Sequence, residues 1–371
     1  MKLNDFDYIL PVELIAKQPL LDRDQARLMV IERKTGKITH HVFAQIEQFL
    51  PMGSLLILND SKVIPARLIG KREKTGGKVE VFLLNALGDG YCFKALIKPL
   101  RRLKIDEKII FPGGSIYAQL KDPHEKIIRF NRKNIERSLK SIGHIPLPPY
   151  IKREDRDLDK TYYQTVYARS AGSVAAPTAG LHFTKSLLDR IRLAKHQIER
   201  LTLHVNYATF TPVKTDDITQ HVMHAESYAL PAKTVQAVMR AKAKGQKIVA
   251  VGTTSCRVLE TFARKLAIAG GVSPQSKNFD PGDTPPVFRS VQQHLHQAQT
   301  KGLSGMTNIF IYPGYQFMLT DILITNFHLP KSTLLMLVEA FGSSFLIKEA
   351  YEEAIRQKYR FYSYGDCMMI I

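Results

Sequence analysis

The chain of 371 residues contains no tryptophan and only three cysteines. Cys92, Cys256 and Cys367 are scattered, with no CxxC pair, so neither a disulfide framework nor a cysteine-rich zinc site is supported. Twelve histidines are present, but none stands in an HExxH or similar spacing, and no metal cofactor is expected. No apolar run approaches the roughly 18 residues that a membrane-spanning helix needs. The opening MKLNDFDYILPVELIAKQ puts acids and a proline where a signal peptide needs a clean apolar segment, so a cytoplasmic location is expected. GxGxxG and GxxxxGK[ST] loops are missing too, which disfavours nicotinamide dinucleotides and ATP as ligands. Acidic residues are scarce relative to basic ones: 34 Asp+Glu against 53 Lys+Arg, or 53 − 34 = +19. Such an excess attracts polyanions over a range set by salt screening, and nucleic acid is the leading expected partner.

What is present is ordinary globular material. Apolar residues make up 44% of the chain, enough for a large core, and the length suits two domains. A short helix is expected around 11–16. Runs at 27–32 and 37–41 flank Lys34-Thr35-Gly36 and read as a hairpin. Residues 42–50 have helical spacing, and an apolar strand at 54–58 ends in Asn59-Asp60-Ser61. From about residue 67 to 149 the texture changes to short β-rich runs, at 78–84, 91–97, 108–111, 115–120 and 126–130, divided by glycine and proline turns. That pattern predicts a small barrel or sandwich. Its Arg101, Arg102, Lys104, Arg129, Arg132, Lys133, Arg137 and Lys140 suit a nucleic-acid backbone. The proline-rich GHIPLPPYIKR, 143–153, is expected to return the chain to the first domain. Beyond it the periodicity predicts helices at 184–195, 231–244, from 253 to about 267, at 332–341 and at 345–357. Strands are predicted at 198–205, 247–251, 308–312, 321–325 and after Phe361. Residues 270–302, rich in Gly, Pro, Gln and Ser, read as a mobile loop.

Three stretches carry groups able to do chemistry. SVAAPTAGLHFT, 173–184, is a run of small residues around Thr178 and Gly180 that lets a backbone or a ligand approach closely, and it ends at His182. In HVMHAESYAL, His224 and Glu226 stand two apart, on one face of an extended strand, where a carboxylate orients an imidazole near a working pKa. His204, near a strand end, and His328, in TNFHLP, are further candidates, although a single histidine is commonly a hydrogen-bonded structural group. VGTTSCRVLE, 251–260, is a strand, turn and helix. The free amides after Gly252 favour anions, the hydroxyls of Thr253 and Thr254 add donors, and Arg257 reaches the same side. An ordinary helix cap is the alternative reading of that turn.

These stretches, together with NDSKVIPARLIGKR, GHIPLPPYIKR, TNIFIYPGY, LITNFHLPKSTLLMLVEAFGS and YRFYSYGD, closely resemble the bacterial S-adenosylmethionine:tRNA ribosyltransferase-isomerases of queuosine biosynthesis, over nearly the whole chain. The resemblance implies a multi-domain α+β fold. A mixed α/β catalytic domain, 1–66 and 150–371, is interrupted by a small β-barrel domain at 67–149, in agreement with the change of texture. It implies that S-adenosylmethionine donates its ribosyl part rather than its methyl group. The acceptor is 7-aminomethyl-7-deazaguanine at the tRNA wobble position, and the products are epoxyqueuosine, adenine and methionine. A monomer is expected. In such a reaction the sulfonium acidifies the protons on the ribosyl carbon beside it, and a base must come within roughly 3 Å of one of them. His182, His204 and the His224–Glu226 pair are the candidates. Tyr312, Tyr315 and Phe327 are the expected aromatic contacts of the sulfonium. Thr178, Gly180, Gly252, Thr253, Thr254, Arg257, Asn326 and His328 complete the expected S-adenosylmethionine pocket. An unpaired anticodon base leaves its stack at little cost. Two stretches depart from the family pattern: Asn206-Tyr207-Ala208 stands where a glycine-rich step is usual, and the loop at 271–302 is longer.

Two other classes are compatible with a basic cytosolic chain, an S-adenosylmethionine-dependent RNA methyltransferase and a non-catalytic RNA-binding protein. The missing glycine-rich methyltransferase loop argues against the first.

Overall fold

Strands Leu55–Asn59, Ile248–Val251 and Ile322–Asn326 are apolar at nearly every position and buried throughout. That is the signature of strands covered on both faces. They lie at the centre of a nine-stranded sheet in the computed structural model, which describes residues 1–206, 213–269 and 292–371. Tyr207 and Ala208 of the departing step, and the expected loop as far as residue 291, lie outside the described residues. The chain forms two compact units. One comprises Met1–Ser61, Gln164–Ser170 and Ala176–Ile371, the other Lys62–Tyr163 and Ala171–Ala175.

In the first unit the strands run in the order Leu303–Thr307, Glu226–Leu230, Gln197–Leu203, Leu55–Asn59, Ile248–Val251, Ile322–Asn326, Cys367–Ile370, Arg27–Ile31 and Ile38–Val42. The four from Gln197–Leu203 to Ile322–Asn326 are mutually parallel. Leu56, Leu58, Val249, Val251, Ile322 and Ile324 join one core with Phe43, Phe183, Leu187 and Ile191. The helix Lys185–Leu193 closes that core, its N-terminus capped by the Thr184 hydroxyl, which accepts from Leu187 N at 3.1 Å. Helices Ala232–Ala243 and Thr253–Ala269 pack against the sheet as well. The expected hairpin forms as Arg27–Ile31 and Ile38–Val42, and residues 42–50 coil as a 3-10 helix, Phe43–Phe49. Only a 3-10 turn, Val12–Leu14, forms where a short helix was expected.

One strand and one loop differ from the sequence reading. Gln292–Lys301 is helical, and the strand that follows is Leu303–Thr307 rather than 308–312. The sequence LSGMT has weak β-propensity, but it pairs along Glu226–Leu230 from Leu230↔Leu303 to Glu226↔Thr307. Long-range pairing decides the strand here over local propensity.

In the second unit six strands close on themselves: Arg67–Arg72, Lys78–Ala86, Cys92–Lys98, Ile127–Phe130, Tyr117–Asp122 and Lys108–Ile110, with Lys71↔Ile110 and Arg72↔Ile109 completing the ring. The expected small β-barrel is thus a closed one. Its strands alternate buried and open positions, and Phe93, Ala95, Ile97, Ala118, Leu120, Ile128 and Phe130 fill the interior. Gly70 makes closure possible: a Cβ there would stand 2.7 Å from the Ile109 side chain and 2.9 Å from the Ile110 carbonyl oxygen. The basic residues do not form one patch. Register Ile127↔Lys94 and Arg129↔Cys92 puts Arg132 and Lys133 at the barrel end that carries the 87–91 turn, whereas Arg101, Arg102 and Lys104 follow the opposite end of Cys92–Lys98. No helix among the described residues is long and apolar enough to cross a membrane.

Candidate active site at the carboxyl ends of the parallel strands

The four parallel strands enter the sheet in the chain order Leu55–Asn59, Gln197–Leu203, Ile248–Val251 and Ile322–Asn326. The second lies on one side of the first, and the third and fourth lie on the other. Progress therefore reverses between Leu55–Asn59 and Ile248–Val251. Open α/β sheets bind ligands in the crevice outside the carboxyl ends at such a reversal. The residues that end these strands or follow them are Asn59-Asp60, His204, Gly252 to Thr254 and Asn326 to His328.

Asn59 sets the geometry of the first two strand ends. It is fully buried, its Nδ2 donates to the Leu203 carbonyl at 3.0 Å, and its Oδ1 accepts from Leu203 N at 3.0 Å and Ser61 N at 3.1 Å. Asp60 is buried beside it and accepts from the Thr202 hydroxyl at 2.7 Å. His204 is thereby held at the strand mouth, its backbone N–H donating to Ser227 O at 3.0 Å. Its Nδ1 is buried and has no hydrogen-bond partner. Burial lowers the His204 pKa, and the Asp60 carboxylate draws it partly back. The sequence reading assigned Asn59 and Asp60 no role, although two polar residues ending a wholly apolar strand were a visible signal.

Gly252 turns the next strand into its helix with φ +88°, a backbone conformation that favours glycine. Thr253 and Ser255 are buried in the first turn, and the hydroxyls of Thr254 and Ser255 have no hydrogen-bond partner. Arg257, one turn on, is 4% exposed. Its Nη1 donates to Glu226 Oε2, while Nε and Nη2 have no partner. Glu226, 3% exposed, also accepts from Asn206 N at 2.9 Å.

His182 ends the 3-10 helix Thr178–His182 and is buried against Phe43, ring centroids 5.0 Å apart. Burial pushes its pKa down to about 4, neighbouring Asn326 opposes that, and the Arg360 charge adds to it. The imidazole is neutral at pH 7. His182 Nε2, Asn326 Oδ1 and Arg360 Nη1 are all buried without a hydrogen-bond partner, while Asn326 Nδ2 donates to the Tyr362 carbonyl at 3.0 Å. His328 is fixed instead. Its Nε2 meets the Thr325 hydroxyl at 2.8 Å, its N–H donates to Tyr351 Oη at 2.9 Å, and burial holds its pKa at about 3.

Several expected site residues have other surroundings. His224 lies outside the strand Glu226–Leu230 and is exposed, whereas Glu226 is buried and accepts from Arg257 and Asn206, so the expected His224–Glu226 pair does not form. Phe327 is 0% exposed among Tyr351, Tyr359 and Phe361, with centroids 4.9–5.6 Å away, and belongs to the core rather than to a sulfonium site. Tyr315 turns its hydroxyl to the buried Glu260 carboxylate at 3.3 Å, about two turns into the helix, and Tyr312 stands against Phe310. Glu260 also gathers Met318 N, Leu319 N, Thr320 N and the Thr320 hydroxyl at 2.9–3.1 Å, which anchors that loop. The open side of Gly180 is filled by protein: a Cβ there would stand 2.0 Å from Tyr167 Oη and 2.8 Å from Thr165 Cγ2. Thr178, two residues earlier, is half-buried. Among the described residues no three His, Cys, Asp or Glu side chains come close enough to hold a metal ion.

The chain is similar to known proteins over nearly its whole length. Residues 3–370 match the family model for queuosine biosynthesis protein. The chain is 48% identical over 373 residues to the S-adenosylmethionine:tRNA ribosyltransferase-isomerase of Sulfurihydrogenibium sp. (strain YO3AOP1), with 100% of both chains covered. It is 44% identical over 374 residues to the enzyme of the same name from Clostridium kluyveri (strain ATCC 8527), again with full coverage. Among solved structures it resembles the S-adenosylmethionine tRNA ribosyltransferase of Thermotoga maritima, at 33% identity and a TM-score of 0.52, covering 99% of this chain and 100% of that one. The chain belongs to the queuosine biosynthesis family of S-adenosylmethionine:tRNA ribosyltransferase-isomerases, and is a transferase.

Proposed function

We propose that this chain transfers and isomerises the ribosyl part of S-adenosylmethionine onto 7-aminomethyl-7-deazaguanine at the wobble position of tRNA. The products are epoxyqueuosine in the tRNA, free adenine and free methionine. It acts as a cytoplasmic monomer. The observation that carries the reading is the convergence of His204, the Gly252–Thr254 turn and the Arg257–Glu226 pair at the reversal point of the parallel sheet. The proton to be removed lies on the ribosyl carbon bonded to the sulfonium, and the base must be unprotonated with a lone pair not engaged by the protein. His204 meets that requirement best, since Nδ1 is unpartnered and Asp60 keeps it more basic than burial alone would. His182, with its pKa at about 4, is the weaker base. In this reading it hydrogen-bonds a nucleobase edge together with Asn326. Thr253, Thr254 and the helix amides line the same mouth.

The test is adenine release from S-adenosylmethionine by the purified protein in the presence of tRNA carrying the precursor base. Adenine should appear only when that tRNA is added, and His204→Ala should lower the rate by about 100-fold or more. Methyl transfer to the tRNA without adenine release would contradict the proposal.

A further inference from the structure

Arg257 is anchored on one side and open on the other. Its Nη1 is committed to Glu226, while the edge formed by Nε and Nη2 is buried with no hydrogen-bond partner. A buried guanidinium edge is costly to leave unpaired, because it has left water without gaining an acceptor. The same edge is the one that arginine uses to grip planar oxyanions with two parallel bonds. Two other arginines of this chain show it occupied. Arg67 binds Glu80 through Nε at 3.0 Å and Nη2 at 3.3 Å, and Arg72 binds Glu107 through Nε at 2.7 Å and Nη2 at 3.0 Å.

We infer that the open edge of Arg257 binds the α-carboxylate of the methionyl part of S-adenosylmethionine, with Glu226 serving as anchor for Arg257 and as counter-charge for the α-ammonium. The inference rests on the proposed function above. Three features favour an amino-acid zwitterion over an RNA phosphate. Arg257 and Glu226 are 4% and 3% exposed, a depth suited to a small molecule's end group rather than a polymer backbone. The pair presents both signs of charge side by side, as an amino acid does. A phosphate would be drawn to Arg257 but would meet the Glu226 carboxylate with like charge.

The experiment compares binding of S-adenosylmethionine with that of decarboxylated S-adenosylmethionine, which keeps the sulfonium, ribose and adenine, by calorimetry on the intact protein. The wild type should bind the decarboxylated compound about 10- to 100-fold more weakly, the size expected for a charge-assisted bidentate contact. Arg257→Lys, which keeps the charge and loses the fork, should remove most of that difference, so that the two ligands bind within about threefold of each other. Inorganic phosphate, added as a competitor, should leave S-adenosylmethionine binding unchanged. Equal binding of the two ligands by the wild type would overturn the inference while leaving the function standing. A preference undiminished in Arg257→Lys, or phosphate competition that Arg257→Lys abolishes, would overturn it too. No binding of S-adenosylmethionine by the wild type, either alone or with the precursor tRNA present, would defeat the function itself. If Arg257→Lys does not fold, the wild-type comparison decides alone.

Discussion

His182 and His328 are buried histidines held neutral, at about 4 and about 3, mainly by removal of water around them. An unfolded histidine takes its proton near pH 6.5, well above either value. The unfolded chain therefore binds more protons than the folded one between those limits, so stability is full above about 6.5 and falls as pH drops toward 4 and 3. For His182 the loss between pH 7 and pH 5 is about 2 kcal/mol by this linkage. Urea denaturation at both pH values should show it, and His182→Gln should lose about that much less. Identical pH dependence in the variant would mean that His182 is not held neutral. At the residue scale the histidines were legible as candidates, but their differences were not. His204, His182 and His328 all stand at strand or loop ends in the sequence. Only the fold reveals that one is half-buried beside Asp60, one faces Asn326, and one is tied to Thr325 and Tyr351.

The small-residue segment before Lys185–Leu193 owes its composition, at Gly180 at least, to packing against the protein's own side chains. A methyl at position 180 would drive into Tyr167 Oη. Gly180→Ala should destabilise the protein by about 1–3 kcal/mol, the usual cost of overpacking. Tyr167 Oη has no hydrogen-bond partner, so Tyr167→Phe should be near neutral by itself and should recover part of the loss in the double variant. Thermal denaturation of the four proteins in the cycle checks this, and strict additivity would contradict it. The elements of this sheet were readable because their patterns are strong: continuous apolar strands, a proline-opened helix ended by Gly245, and the Gly252 turn. The partners of those elements were not. Glu226 and Arg257 meet because the strand Glu226–Leu230 joins the sheet beside Gln197–Leu203, a pairing that no local pattern encodes. Phe327 was misread for the converse reason. An aromatic residue just past a strand end looks the same in sequence whether it faces a ligand or, as here, Tyr351, Tyr359 and Phe361.

For the whole molecule the net charge of +19 is the property that bears on tRNA. Binding to a polyanion releases counterions, so log affinity should fall linearly with log salt. Replacing Arg132 and Lys133 by alanine should weaken tRNA binding and reduce the salt slope by about 2, one for each phosphate no longer neutralised, while S-adenosylmethionine binding stays unchanged. An unaltered slope would place the tRNA-binding surface elsewhere than this barrel end. Composition alone led to a basic two-domain protein with an RNA partner. The long motifs identified the family, and the fold explains why they converge, since three of them stand at the ends of parallel strands around one reversal point.

The most direct measurement of the central claim uses S-adenosylmethionine labelled in its ribosyl carbons, incubated with the protein and tRNA bearing 7-aminomethyl-7-deazaguanine. The account predicts label in the wobble nucleoside, with adenine and methionine released in equal amounts to the tRNA modified. Label absent from the tRNA, with a methyl group gained instead, would contradict it.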